Sequence, residues 1–129
     1  MNRIDKIEAI VNAVASLHDY SSPESDAYKL RNPLLLKSFS KPGKHNVNEK
    51  GIRQFESFQG GYRSAVWDLE LKLKGSSNTG LQPSDRLKNL LAVLGLSQEQ
   101  EQMSVVFFLR KSIDKDIDLN TPLSYFNKD

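Results

Sequence analysis

The chain has 129 residues, enough for one domain with a single hydrophobic core. Hydrophobic residues make up 38% and charged residues 26%, typical of a soluble globular protein, and a net charge of +2 gives no argument for nucleic acid or an anionic membrane as a partner. Because cysteine is absent, disulfides and cysteine-based metal sites or nucleophiles are excluded.

The sequence indicates neither a membrane span nor a secretion signal. No apolar run approaches the roughly 20 residues that a spanning helix needs. The first turns carry Asp5 and are followed by no small-residue cleavage site. We therefore predict no signal peptide and no association with a membrane.

The first predicted element is a helix over residues 3–17. Its apolar residues recur every three or four positions, and Asn2 precedes them as a plausible N-cap. The polar run from His18 to Pro23 ends the helix, and the loop continues to Asp26. The residues of the apolar stripe are Ile4, Ile7, Val11, Val14 and Leu17.

A short hairpin and a central helix are predicted next. Leu34 to Phe39 and Gly51 to Phe55 can pair as antiparallel strands, and the lysines of the loop between them, Lys41 and Lys44, read as a solvated tip. From Phe58 apolar residues recur at helical spacing, with Ser57 as N-cap and Gly75 as the stop.

Two further helices complete the predicted fold. One starts at Ser84 or Asp85, and the other follows a capping-box pattern at Ser97 and includes an apolar run, residues 105–109, predicted to be buried on most sides. Together the elements predict an α+β, mainly α, single domain over residues 1–129. One cluster should bury Phe58, Tyr62, Val66, Leu69, Leu90, Leu94, Val106 and Phe107.

No metal or cofactor site is predicted. Asp114, Asp116, Asp118 and Asn120 alternate like calcium ligands, but Leu119 and Tyr125 stand where a calcium loop needs glycine and a bidentate glutamate. The two histidines, His18 and His45, lack a partner at metal-ligand spacing.

Arg31 to Pro33, Gly51 to Ala65 and Asp118 to Leu123 are three segments that together resemble phage lysozyme-like proteins, the muramidase or transglycosylase domains of phage tails, virions and prophages. The central stretch, Gly51 to Ala65, is similar to the family's run of Phe, Ser, Gly and an aromatic leading into a helix. Arg31-Asn32-Pro33 is similar to its Asn-Pro-Gly-Asn turn, and Asp118 to Leu123 is similar to its common ending. The resemblance covers roughly residues 11–123.

This resemblance implies a lysozyme-like fold with a small β-hairpin between helices one and two, and a glycan-binding cleft between the end of the first helix and that hairpin. It implies a catalytic glutamate at the helix end, followed by glycine and an aromatic residue. The matching tripeptide here is His18-Asp19-Tyr20, so His18 stands at the glutamate position; a one-residue slip would place Asp19 there. Tyr20, Asn32 and Phe55 are the substrate-binding residues that the resemblance implies.

Both departures from the family pattern fall on the implied groove. His18 replaces the acid, and the turn reads Asn32-Pro33-Leu34-Leu35. We interpret this as a fold retained after its chemistry was lost, in a virion structural or peptidoglycan-binding component. One alternative is an active peptidoglycan-cleaving enzyme with Asp19 or Glu24 as general acid, which would need a carboxyl of raised pKa. The other is an unrelated small α-rich adaptor.

The resemblance also carries expectations about partners and location. The expected partners are peptidoglycan or other virion proteins, and the expected location is a phage virion, or the bacterial host cytoplasm before assembly. No nucleic acid, membrane or cofactor is expected, and the oligomeric state is left open.

Overall fold

The computed structural model describes residues 1–37 and 46–129, and it shows a mainly helical chain, as predicted. Within these residues the elements are α1 (Arg3–Leu17), α2 (Asp26–Lys29), α3 (Phe58–Lys74), α4 (Leu87–Val93), α5 (Glu99–Ser112) and a final 3₁₀ turn (Leu123–Asn127). The predicted loop lysines, Lys41 and Lys44, and also Phe39 and His45, lie outside the described residues.

Helix α1 lies in the middle of the fold. Its N-cap is Asn2, whose side-chain oxygen accepts a hydrogen bond from the Asp5 backbone N–H at 2.8 Å. α5 and α3 both pack against it, which is why α1 is buried on most of its circumference rather than on one stripe. The buried positions are Lys6, Ile7, Ala9, Ile10, Val11, Ala13, Val14 and Ala15.

Helix α3 has the bounds that its capping residues predict. The Ser57 hydroxyl accepts a hydrogen bond from the Gly60 N–H at 2.9 Å, and Gly75 ends the helix in the left-handed conformation with φ 78°. Ala65, Leu69 and Leu73 are fully buried. Helix α3 packs against α1 and the 3₁₀ turn.

Between α1 and α3 the chain forms α2 and then an antiparallel contact. Lys37 pairs with Ile52 and Val47 pairs with Arg53, both as isolated antiparallel bridges. These bridges lie where the hairpin is predicted, but pairing in the described residues does not extend into regular strands. Leu34, predicted to lie in a strand, instead lies in a turn closed by the Leu35 N–H and the Asn32 carbonyl at 3.1 Å.

The last two helices begin later than predicted. α4 starts at Leu87 rather than near Ser84, because Arg86 is extended and forms an antiparallel bridge with Pro122. α5 starts at Glu99, where the Glu101 carboxylate accepts a hydrogen bond from the Gln98 N–H at 3.4 Å. The capping box is therefore one residue further along the chain than predicted.

One hydrophobic cluster joins the helices and the 3₁₀ turn, but the predicted core needs correction. Leu69, Leu90 and Val106 are fully buried, whereas Tyr62, Val66 and Leu94 are only partly buried. Phe58 and Phe107 are exposed, by 41% and 54%. The apolar run of α5 is therefore not buried on most sides: Val105, Val106 and Leu109 face the core, while the Phe107 ring lies near the Arg110 guanidinium.

The buried Lys6 side chain attaches the C-terminal 3₁₀ turn to α1. Its ammonium donates hydrogen bonds to the Tyr125 carbonyl at 3.2 Å and the Lys128 carbonyl at 2.8 Å. The same ammonium lies 4.5 Å from the centre of the Tyr125 ring. In the described part of the chain, no helix is both long and apolar enough to cross a bilayer.

Candidate functional site

The end of α1 reverses the chain through a left-handed residue. His18 is the C-cap, and Asp19 follows it with φ 54°. The Tyr20 N–H then donates to the Ala15 carbonyl at 3.1 Å. This is the hydrogen bond of a Schellman motif at a helix C-terminus, which usually has glycine at the left-handed position. Asp19 therefore has a backbone conformation that glycine adopts more readily than other residues.

Tyr20 belongs to an aromatic surface at this helix end. Its ring meets the Phe58 ring edge-on, with centroids 5.9 Å apart, and its hydroxyl lies 3.5 Å from the Phe58 carbonyl. Tyr28 lies on the other side of Phe58 at 5.0 Å, and the Arg31 guanidinium lies 5.5 Å from the Phe58 ring. We call these four residues, Tyr20, Tyr28, Arg31 and Phe58, the α1-end surface.

The start of α3 rests directly on the backbone at Arg31. A Cβ atom built on Gly61 would lie 1.8 Å from the Arg31 carbonyl oxygen, so only glycine fits there. The Phe55 N–H also donates to the Leu30 carbonyl at 2.9 Å. The turn at Arg31 and the central stretch therefore pack against each other through backbone contacts.

Asn32 fixes the turn to the central stretch and is fully buried. Its amide group donates to the Leu36 carbonyl at 3.0 Å and to the Arg53 carbonyl at 2.8 Å, and its oxygen accepts from the Leu36 N–H at 2.9 Å. All of its hydrogen-bonding groups are thus engaged by the backbone. Phe55, also proposed from the sequence to bind substrate, is largely buried, with the Arg53 guanidinium 4.6 Å from its ring.

His18, which the sequence resemblance predicted to stand at an acid position, is uncharged at neutral pH. Burial lowers the pKa of His18 from its ordinary value of 6.5, against the opposing influence of the Glu101 and Asp19 carboxylates. Its Nε2 atom is buried and has no hydrogen-bond partner within the residues that the structure describes. A neutral imidazole is too weak an acid to protonate a glycosidic oxygen efficiently near neutral pH.

The two alternative acids lie in open surroundings. Asp19 and Glu24 are both exposed, Asp19 at the chain reversal and Glu24 in the turns before α2. The Asp19 carbonyl accepts hydrogen bonds from the Ser22 N–H at 2.9 Å and the Ser25 hydroxyl at 2.7 Å, so its backbone organises this loop. Neither carboxylate is enclosed by the hydrophobic core.

The depressed pKa of His18 predicts a specific pH dependence of stability. As the pH falls below 6.5, His18 becomes protonated in the unfolded chain but stays neutral in the folded protein, because its pKa there is lower. The free energy of unfolding therefore falls with pH, and it levels off once the pH is below the pKa of His18 in the folded protein. Urea unfolding at pH 7.5 and pH 5.5 should show this loss in the wild type, and His18→Gln should reduce it. Ser16→Ala, an exposed change on α1, should leave the loss unchanged. An equal loss in the His18→Gln variant would contradict the assignment.

A groove that was not predicted from the sequence lies elsewhere in the described residues. It has a volume of about 640 Å³ and lies between the turn after Asn32, the face of α3 that carries Trp67, and the chain just after α4. Phe55 lines it, but His18, Asp19, Tyr20 and Glu24 do not. No single segment indicates this groove, because residues far apart in sequence form its walls. We call it the Trp67 groove.

The acidic run before the 3₁₀ turn shapes the backbone. Asp114 accepts a hydrogen bond from the Asp116 N–H at 2.9 Å, and Asp118 accepts one from the Asn120 N–H at 2.8 Å. Each carboxylate thus closes its own turn two residues on. Over residues 1–37 and 46–129, the acidic and histidine side chains form no group of three that could hold a metal ion.

We compared the chain with known protein families, curated proteins and solved structures. No protein-family model matches the chain, and the searches of curated proteins and of solved structures likewise find no significant match.

Proposed function

We propose that the chain is a phage-type lysozyme-like domain whose catalysis is impaired and which serves as a peptidoglycan-binding or virion structural component. The proposal includes the lysozyme-like fold itself, with the isolated antiparallel bridges as its small hairpin. It rests on the resemblance of three sequence segments, together with the contacts between two of them.

The left-handed backbone of Asp19 is the structural observation that most supports the proposal. In the family tripeptide the acid is followed by glycine, and glycine is the residue that accepts positive φ without strain. Asp19, with φ 54°, is the only left-handed residue at this helix end. The alignment that matches Asp19 to the glycine puts His18 at the acid position and Tyr20 at the aromatic one. The slipped alignment, with Asp19 as the acid, does not account for the backbone.

Contacts between the segments support a common origin for the resemblance. Gly61 approaches the Arg31 carbonyl, and Asn32 donates to the Arg53 carbonyl, so two of the similar segments form one unit. The third segment meets α4, where the Leu87 N–H donates to the Thr121 carbonyl at 2.9 Å. The contact between the first two segments is what favours the lysozyme-like proposal over the unrelated α-rich adaptor.

Impaired catalysis follows from the groups at the helix end. Hydrolysis of a glycosidic bond by this family needs a buried carboxylic acid that stays protonated near neutral pH. His18 is uncharged there because burial lowers its pKa. The neighbouring carboxylates of Asp19 and Glu24 are exposed. The active-enzyme alternative would need one of these two to move into an apolar site.

A sedimentation assay, which separates binding to cell walls from their cleavage, tests the proposal. Purified protein is mixed with insoluble peptidoglycan sacculi, the sacculi are sedimented, and the supernatant is analysed for released muropeptides. For a wall-binding component we expect protein in the pellet and no muropeptides in solution. Protein that stays in solution would remove the wall-binding form and leave the virion structural form, which co-purification with assembled particles would then have to show.

A further inference from the structure

The Trp67 groove has features of a ligand site that the proposed function does not use. Trp67 is the only tryptophan of the chain, and its side chain is 67% exposed on the groove wall. It follows Phe58 by nine residues, which places it about half a turn around α3 from the α1-end surface. The groove and the α1-end surface therefore lie on different sides of this helix.

The charges lining the groove are unbalanced. Lys37, Arg53 and Lys72 stand against a single carboxylate, Asp68. Lys72 is 7% exposed and forms an ion pair with Asp68, so this pair is a neutral, fixed part of the wall. A net charge of about +2 remains, contributed by Lys37 and Arg53.

Lys37 and Arg53 have no carboxylate of this chain as a partner. Neither forms an ion pair with any residue in the described ranges. The remaining eight residues, 38–45, contain no aspartate or glutamate. Two cations that line the same groove as one exposed aromatic ring are thus available to an external anion.

The rest of the lining suits a hydroxyl-rich ligand. Ser64, Asn78 and Thr79 contribute hydroxyl and amide groups, while Leu36 and Leu71 contribute apolar surface. A volume of about 640 Å³ is within the range of sites that hold small ligands. An exposed indole ring beside hydroxyl and amide groups matches a sugar, which has an apolar face and a polar rim.

We propose that the Trp67 groove binds a carboxylate-bearing saccharide, with a sugar face on Trp67 and its carboxylate against Lys37 and Arg53. The proposal rests on the proposed function for its ligand class, since peptidoglycan is a carboxylate-bearing glycan, but it places the site on different residues. Single-stranded nucleic acid also combines negative charge with stacking. We favour the saccharide because the chain carries a net charge of only +2 and the groove contains one exposed aromatic ring.

Trp67 fluorescence reports on ligands that reach the indole ring, since no other tryptophan contributes. Trp67 also borders a second, smaller pocket with Tyr62 and Glu70, so the charge variants at Lys37 and Arg53 assign a change in emission to the groove. The protein is titrated with hexagalacturonate as the acidic probe, chitohexaose as the neutral one and a short oligothymidylate. Hexagalacturonate is expected to change the emission, with affinity that falls as salt rises. Chitohexaose should bind at least tenfold more weakly, and the oligothymidylate more weakly than hexagalacturonate.

Charge variants test the contacts. Arg53→Gln and Lys37→Gln should each weaken hexagalacturonate binding about tenfold, the usual cost of losing a hydrogen bond to a charged group. Lys88→Gln, the same charge change at an exposed site on α4, should leave the affinity unchanged. Circular dichroism would verify that each variant folds. Because Arg53 packs on Phe55, the Lys37 variant keeps the test valid if the Arg53 variant is unstable.

The outcomes separate this proposal from the proposed function. Sacculus binding with no change in Trp67 emission, or equal binding in the Lys37→Gln and Lys88→Gln variants, would overturn the groove proposal alone. A change with hexagalacturonate but no sacculus binding would support the groove and remove the wall-binding form of the proposed function. Preference for the oligothymidylate, equal binding of chitohexaose, or no binding of any probe would overturn the saccharide assignment.

Discussion

Gly61→Ala is expected to destabilise the protein by more than about 3 kcal/mol, at or beyond the upper end of the usual cost of overpacking. The added methyl group would lie 1.8 Å from the Arg31 carbonyl oxygen, which is backbone and has no rotamer by which to move away. Either α3 or the turn at Arg31 must shift, and the close contact between them is lost. Urea or thermal unfolding measures the change.

Gly60→Ala is the matched control, one residue earlier on the same helix. There the new methyl group would meet the Ser57 hydroxyl at 3.0 Å, the movable end of a side chain. Alanine also gains about 1 kcal/mol of helix propensity over glycine. We expect a stability within about 1 kcal/mol of wild type. Equal losses in both variants would mean that α3 does not rest on Arg31.

Leu69→Ala is expected to cost about 2–5 kcal/mol, the range for a fully buried leucine. Leu69 has no exposed surface and belongs to the cluster that joins α3 to α1. Truncation removes apolar contacts and leaves a cavity that the packed helices cannot close. Chemical unfolding gives the free energy.

Leu71→Ala serves as the comparison for that variant. Leu71 is partly exposed on the same helix and lines the Trp67 groove rather than the core. Its truncation should cost about 1 kcal/mol. A Leu69→Ala protein that unfolds like wild type would show that the central-helix packing is wrong.

The parts of the fold that depend on neighbouring residues were predictable from the sequence. Both ends of α3 follow from a hydroxyl N-cap, Ser57, and a glycine stop, Gly75. The start of α1 follows from Asn2 and the apolar spacing behind it. The main exception is α4, where a distant bridge between Arg86 and Pro122 holds the chain extended and delays the helix.

The parts that depend on distant partners were not predictable. Phe58 and Phe107 have the spacing or the apolar neighbours of core residues, yet which side of a helix is covered depends on what packs there. The need for glycine at position 61 arises from the Arg31 carbonyl, thirty residues earlier in the chain. The Trp67 groove combines Lys37, Arg53 and the chain after α4, so periodicity carries no signal for it.

For the candidate site, the sequence placed the residues but not their environment. His18, Asp19 and Tyr20 do form the end of the first helix, as the tripeptide suggests. The burial of His18, the left-handed backbone of Asp19 and the contact of Tyr20 with Phe58 depend on the fold around them. Asn32 is occupied by backbone partners, so the structure gives it a role in holding the turn.

A peptidoglycan lysis assay tests whether catalysis is impaired, by following the turbidity of a sacculus suspension mixed with purified protein. If His18 holds the acid position, as we propose, and Asp19 and Glu24 stay exposed, the wild type should cause no clearing. His18→Glu is then expected to introduce measurable lysis. Clearing by the unmodified protein that is abolished by Asp19→Asn or Glu24→Gln would contradict the account and establish an active enzyme.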